Sequence, residues 1–333
     1  MDLCIPRPGL LAAGVLAAAC VMAGCGSGAA AAPHPVGAAP GTAQARPTTA
    51  TPAAASSSPG PATAVAAPSI PAPAPPPQPR VSITRVRTGG GALVTVATFL
   101  GPVRYVLHDG SGDPGAAAGA VRAGPAVTGA ERRQLLAAFN GGFKLSAGVG
   151  GYMQEGHVIS PLQRGLASLV IDRSGQARIG VWGSGLPAPG EAVYSVRQNL
   201  PPLVRNGRPT AAAADWTLWG ATLGGGAYVA RSAVGQDAAG HLIYAASMSA
   251  VPADLASVLA ARGARTAMEL DINPEWVQMD AAGKPGGGLT AEVAGQYRPA
   301  DQYLAGWTRD FFTVLAAPAS SPASAPDLAR FRP

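Results

Sequence analysis

Cysteine is missing from nearly the whole chain: the three present, Cys4, Cys20 and Cys25, stand within the first 25 of 333 residues. Beyond that point the chain can form no internal disulfide and offers no thiol nucleophile or thiolate metal site, so a domain there has to be stabilised by its core. Charge is sparse, at 13% of residues, and the net charge of +6 is spread along the chain instead of gathered into a patch. That distribution argues against nucleic acid as a partner. Lysine is rarer still: beyond residue 80 only Lys144 and Lys284 occur, and every other basic side chain is arginine, the better fork for phosphate. No Gly-x-Ser-x-Gly elbow and no His-Glu-x-x-His pair is found, and Ala282-Gly283-Lys284 continues with Pro285 where a P-loop needs Ser or Thr. The four histidines are scattered, none at ligand spacing from another, so no zinc site is expected.

Long apolar runs are also few. One, residues 10–23, follows Arg7 and stops at Gly24-Cys25. It is short for a bilayer span but suits the core of a signal peptide. Ala23 and Gly24 before Cys25, with Gly26 and Ser27 after it, resemble the lipobox of bacterial lipoproteins, which implies a signal peptide over 1–25, lipidation at Cys25 and an exported protein anchored to the membrane by lipid, facing the cell wall or periplasm. A cleaved secretory signal and an uncleaved anchor are the alternatives; all three export the chain. Residues 26–80 are Ala, Pro, Ser, Thr and Gly with almost no charge or large apolar side chains, a composition that cannot bury enough surface to offset ordering entropy and is expected to be a disordered tether. The same composition returns over 318–333, leaving one folded domain expected over 81–317.

Within that domain, residues 81–88, 93–100 and 104–109 alternate or run with β-branched side chains between glycines and prolines, and read as strands. Thr128-Gly129-Ala130-Glu131 has the spacing of a capping box and predicts a helix from Thr128 through Ala138, running into Phe139-Asn140-Gly141-Gly142-Phe143. Short strands follow in hairpin pairs at 152–154 with 157–159 and at 167–172 with 177–182. Residues 227–235 and 241–247 flank a turn, a helix is expected over 251–262 with Gly263 as its stop, and a strand over 266–272 is cut by Pro274. The last strand is expected over 311–315. Many short strands with a few helices and no regular β-α alternation predict an α+β domain of mixed or antiparallel sheets.

Three segments, in this order, resemble the phosphodiester glycosidase family. Ala137-Ala138-Phe139-Asn140-Gly141-Gly142-Phe143 is similar to the family's A-x-F-N-G-G-F/Y run, and Ala230-Arg231-Ser232-Ala233-Val234-Gly235 to its R-T-A-I-G strand. The stretch from Gly263 to Asp271, after a helix, is similar to its L-G-A and A-x-x-L-D segment, and Pro202-Leu203-Val204-Arg205-Asn206-Gly207 suits its x-L-V-x-D-G position. The resemblance covers about residues 130–315. It implies an exported hydrolase of a sugar-1-phosphodiester in a cell-envelope glycoconjugate. One departure stands out. The family continues L-D with G-G-G-S, whereas here Asp271 is followed by Ile272-Asn273-Pro274-Glu275-Trp276, which lacks the close-approaching amides of a glycine run. That replacement supports a second reading, a non-catalytic envelope lipoprotein that binds a glycan or a partner protein.

The chemistry of such a cleavage asks for a carboxylate beside the sugar carbon and for cations or amides around the phosphate. Asp271, at the end of a buried-looking strand, is the candidate carboxylate; Arg231 is the candidate phosphate fork, expected to pair with Asp271 in the empty protein; Asn140 is the candidate polar contact, with Gly141 and Gly142 presenting backbone amides. The structural alternatives are a plain Asn-Gly turn and a structural ion pair. Glu269, Asp271 and Asn273 alternate and should share a strand face, which makes Glu269 and Asn273 candidate substrate contacts. No cofactor is expected; three oxygen-bearing side chains on one face can hold calcium, and a solvated strand end accounts for them as well. Trp216, Trp219, Trp276 and Tyr228 are either a sugar-stacking platform or core.

Overall fold

The computed structural model describes residues 80–119 and 121–317, all of which belong to one compact unit. The expected signal segment with Cys25, the expected tether up to residue 79 and the expected tail over 318–333 lie outside the described residues.

Three sheets make up the domain. The first has seven antiparallel strands in the order Val81–Arg87, Leu93–Phe99, Leu242–Ala250, Val229–Gln236, Thr266–Glu269, Val204–Arg205 and Arg208–Pro209. The second orders His157–Ser160, Tyr152–Gln154, Ser195–Asn199, Ala167–Ile171, Ala177–Trp182 and Gly185–Leu186, with only the last pair parallel. The third orders Leu289–Ala291, Met279–Ala282, Leu135–Asn140, Phe311–Ala316 and Val103–His108, antiparallel throughout.

The apolar run of Leu242–Ala250 shows why a central strand needs no polar alternation. Leu242, Tyr244 and Ala246 enter the largest core, while Ile243 and Ala245 enter a second core beneath the Pro252–Ala261 helix. A strand covered on both faces buries both sets of side chains. Phe139 sits where the first and third sheets meet, its ring 5.7 Å from Phe99, 5.2 Å from Tyr244 and 5.2 Å from Phe312.

Two expectations are corrected. The helix after Thr128 spans only Gly129–Gln134, and Leu135–Asn140 is a strand. Thr128 makes no side-chain cap bond, and Glu131 instead accepts from Thr313 Oγ1 at 2.6 Å and meets His108 Nε2 at 2.7 Å. The six residues Leu135–Asn140 are all buried between two neighbouring strands, and that burial outweighs the local helix signal. The helical share is likewise smaller than an α+β domain implies: among the described residues α-helix is confined to Gly129–Gln134, Pro252–Ala261 and Gln302–Ala305, so the architecture is mainly β. No helix among the described residues is long and apolar enough to cross a membrane.

Candidate active site

The register of the third sheet brings three loops together. Phe311 lies opposite both His108 and Asn140, so the strands Val103–His108 and Leu135–Asn140 end in the row where Phe311–Ala316 begins. Loops 109–114, 141–149 and 308–310 therefore leave the same end of the sheet. The chain after Thr266–Glu269 reaches this end from the first sheet: Leu270 N donates to Ser232 O, and Ser232 N to Asp271 O.

Asn140 joins the two sheets below these loops. Its Nδ2 donates to Ser232 Oγ at 2.8 Å and to Gly141 O at 2.9 Å, and its Oδ1 accepts from Tyr244 Oη at 2.9 Å and Gln278 N at 3.3 Å. All four hydrogen-bonding positions of the amide are thus used inside the protein. Next to it runs a buried ion pair, Arg197 Nε to Asp310 Oδ2 at 2.7 Å, with Arg197 also donating to Phe143 O and Gln198 O. A Cβ on Gly141 would lie 2.0 Å from Asp310 Oδ2, and one on Gly142 would lie 2.9 Å from the Arg197 guanidinium carbon. The two glycines are there because the ion pair occupies the space of their missing side chains.

Beside this cluster opens a cleft of about 390 Å³, with Phe143, Lys144, Asp271, Asn273, Trp276 and Arg309 among its walls. Asp271 is 4% exposed; its Oδ1 accepts from Ile272 N at 2.8 Å and Asn273 N at 3.0 Å, and its Oδ2 lies 3.3 Å from Arg309 Nη2. Burial pushes the Asp271 carboxyl up to about 6, against the pull of Arg309 and of the Asn273 and Ile272 amides. Arg309 Nη2 also donates to Gly142 O at 2.7 Å, and its Nε lies 3.3 Å from Asp113 Oδ2. The Trp276 ring is flanked by both cations, with its centre 5.2 Å from the Arg309 guanidinium and 5.9 Å from Lys144 Nζ.

Asp271 and Asn273 therefore line the cleft, while Asn140, Gly141 and Gly142 are not among its walls and their amides are already engaged, Gly141 N on Asp310 O and Gly142 N facing Asp310 Oδ2 at 3.3 Å. The expected Arg231–Asp271 pair is replaced by two others. Arg231 pairs with Glu269 at 2.7 Å, both 0% exposed, and Asp271 pairs with Arg309. The reason is geometric: the ladder sets Ala233 opposite Glu269, and the strand ends there, so Glu269 stays beside the Val229–Gln236 strand while Asp271 turns toward the loops. Arg231 also donates to Ala250 O and Trp219 O, and burial pushes the Glu269 carboxyl up to about 8 despite the arginine. Glu269, Asp271 and Asn273 do not share one face. Each is engaged separately, Asn273 Oδ1 accepting from Glu275 N at 2.9 Å, and no metal-holding group of three or more His, Cys, Asp or Glu occurs among the described residues. The aromatic platform is likewise dispersed: Trp219 is core, Tyr228 is exposed at another surface, and Trp276 alone of the four reaches the cleft.

Sequence reasoning missed Arg309, Lys144, Asp113 and the Arg197–Asp310 pair. A signal for the first existed: Arg309-Asp310 is an adjacent pair of opposite charges placed where the buried strand Phe311–Ala316 begins.

Residues 126–271 match the model of the phosphodiester glycosidase family, so the likeness read from the three motifs holds across that stretch. The match contains Asn140, Lys144, Arg231 and Asp271; Asp113 and Arg309 lie outside it. Among solved structures, the chain is similar to the catalytic domain of zebrafish N-acetylglucosamine-1-phosphodiester alpha-N-acetylglucosaminidase auto-inhibited by its pro-peptide, at 15% identity over 72% of this chain and 82% of that one, with a TM-score of 0.44. It is also similar to a hypothetical protein from Synechocystis, at 15% identity over 71% of this chain and 61% of that one, with a TM-score of 0.42. No curated protein matches the chain.

Proposed function

We propose that the chain hydrolyses a sugar-1-phosphodiester of the cell envelope, breaking the bond between the anomeric carbon and the phosphate oxygen. The observation that carries this reading is the Asp271 carboxylate, 4% exposed, in a cleft whose walls also hold the cations Arg309 and Lys144. The family match over 126–271 supports it. A phosphodiester brings its own leaving group, so the departing oxygen needs its charge neutralised more than it needs a proton. Phosphate competes with Asp271 for Arg309, and the freed carboxylate faces the anomeric carbon, where it stabilises the cationic sugar or bonds to it. The C–O electron pair leaves with the phosphate, and water supplies a hydroxyl to the carbon and a proton to solvent. The lipobox-like Ala23-Gly24-Cys25 supports export and anchoring by lipid at Cys25, which puts the domain within reach of envelope glycans.

Release of reducing sugar from a panel of sugar-1-phosphodiesters tests the reading. Turnover is expected, and Asp271→Asn should lower kcat about a thousandfold with the melting transition kept. Because the acting form is the carboxylate and burial pushes its pKa up to about 6, kcat should fall as the pH drops below about 6. The second reading, a glycan binder, rests on the Ile272-to-Trp276 loop; it predicts binding of the panel without turnover, and that outcome would overturn the hydrolase.

A further inference from the structure

A second cavity, of about 320 Å³, shares Lys144, Trp276 and Arg309 with the cleft and is otherwise lined by Gly112, Asp113, Ser146 and Thr308. The two chambers differ in chemistry. The first presents Phe143, Ala147, Val149, Ala221 and Ile272 around Asp271. Apart from the shared indole, the second presents no large apolar side chain: its walls are a carboxylate, two hydroxyls and a glycine. Arg309 bridges them, with Nη2 3.3 Å from Asp271 and Nε 3.3 Å from Asp113. In an arginine, Nε and Nη2 form one edge of the fork, the edge on which a phosphate sits bidentately. A phosphate held by Arg309 would lie between the two chambers, both of which this arginine lines.

We propose that the Asp113 chamber receives the alcohol half of the diester and that Asp113 makes the site select a hydroxyl-rich alcohol, a polyol or second sugar, over an alkyl one. The inference rests on the hydrolase reading for the identity of the first chamber's occupant. Among the described residues the only hydrogen bonds to the Asp113 carboxylate are long, from Leu145 N at 3.3 and 3.4 Å, and Arg309 Nε is near it without hydrogen-bond geometry. Its oxygens therefore keep acceptor capacity for a ligand hydroxyl. The exposed Thr308 hydroxyl adds a donor and an acceptor. An alkyl chain in the same place would desolvate the carboxylate with nothing in return, and an anionic alcohol would be repelled by it.

The test compares methyl, glyceryl and octyl phosphodiesters of one sugar with the unmodified chain, Asp113→Ala and Thr308→Val. A parallel calorimetric titration measures binding of glycerol-1-phosphate and of methyl phosphate. A charge-assisted hydrogen bond gained by the glyceryl group corresponds to about a tenfold or greater preference in kcat/KM over methyl. Both variants should compress that ratio; Thr308→Val, at an exposed position, does so without disturbing Arg309. Equal kcat/KM for glyceryl and methyl in the unmodified chain overturns the proposal, and so does a loss that is uniform across the three diesters in both variants. Hydrolysis without preference leaves the activity standing and removes the second chamber's role. No hydrolysis, with glycerol-1-phosphate still bound more tightly than methyl phosphate in an Asp113-dependent way, removes the activity and keeps the chamber.

Discussion

Two arginines close to the cleft do different jobs, and their surroundings separate them. Arg231 is sealed at 0% exposure, held by Ala250 O and Trp219 O and paired with Glu269, which is equally buried. Arg309 is 5% exposed and lines the cleft, shared between two carboxylates, an arrangement that a phosphate can displace. Removing Arg231 strands a buried carboxylate, a change that costs about 3–5 kcal/mol, whereas removing the pair together costs less. Arg231→Met should therefore lower the urea midpoint sharply, and Arg231→Met with Glu269→Leu should recover part of the loss. Arg309→Met should act mainly on kcat/KM. Denaturant titration beside steady-state kinetics checks the contrast; unchanged stability in Arg231→Met would mean that the ion pair is not a structural support. Nothing in the residue types distinguished the two arginines, because their difference lies in partners supplied by Glu269 and by Asp271.

At the scale of elements, the Asn140-Gly141-Gly142-Phe143 run was legible as a special place but not for the right reason. Its glycines look like a turn or a bed for substrate, yet they make way for Asp310, in the loop just before the Phe311–Ala316 strand, and Arg197, in the Ser195–Asn199 strand. Gly141→Ala should destabilise by about 1–3 kcal/mol or more, since the intruding methyl meets Asp310 Oδ2 and, at 2.7 Å, the Asp310 carbonyl. Chemical denaturation of that variant gives the answer, and a neutral result would show that the ion pair has room to move. Elements whose local signals agreed with their burial were read well: the helix now bounded as Pro252–Ala261, with Gly263 at φ 90°, and the strand Leu242–Ala250. Leu135–Asn140 was misread because an all-apolar stretch after a capping pattern has no period to choose between helix and strand. The strand before Asp271 was read too long, since its end is fixed by Ser232, a residue 39 positions away.

Across the whole molecule, buried carboxyls set how stability responds to pH. Asp280, 0% exposed, is held by Gln296 Nε2 at 2.8 Å and Gln278 Nε2 at 2.7 Å with no ion pair to a cation among the described residues, and burial pushes it up to about 7. Asp271 is raised in the same direction, to about 6. An acid with a raised folded pKa holds its proton in the native state after the unfolded chain has lost it, so stability falls as pH rises from about 4 toward 7. Glu131, lowered through its contacts with His108 and Thr313, opposes this at the acid end. Unfolding free energy should be on the order of 2–4 kcal/mol greater near pH 5 than near pH 8, and Asp280→Asn should flatten the slope. A stability curve that rises from pH 5 to pH 8 would contradict the assignment of these groups.

The order of the third sheet sets a limit on dissection. Leu135–Asn140 lies between Met279–Ala282 and Phe311–Ala316, and both neighbours fall outside the family-matched residues 126–271. Cut to those residues, the polypeptide would carry a six-residue apolar ribbon with free amides and carbonyls along both sides, the template on which identical ribbons stack into insoluble aggregates. The segment that advertises the chemistry is thus not the segment that can exist alone: the recognisable part borrows its solubility from flanking chain that bears no motif.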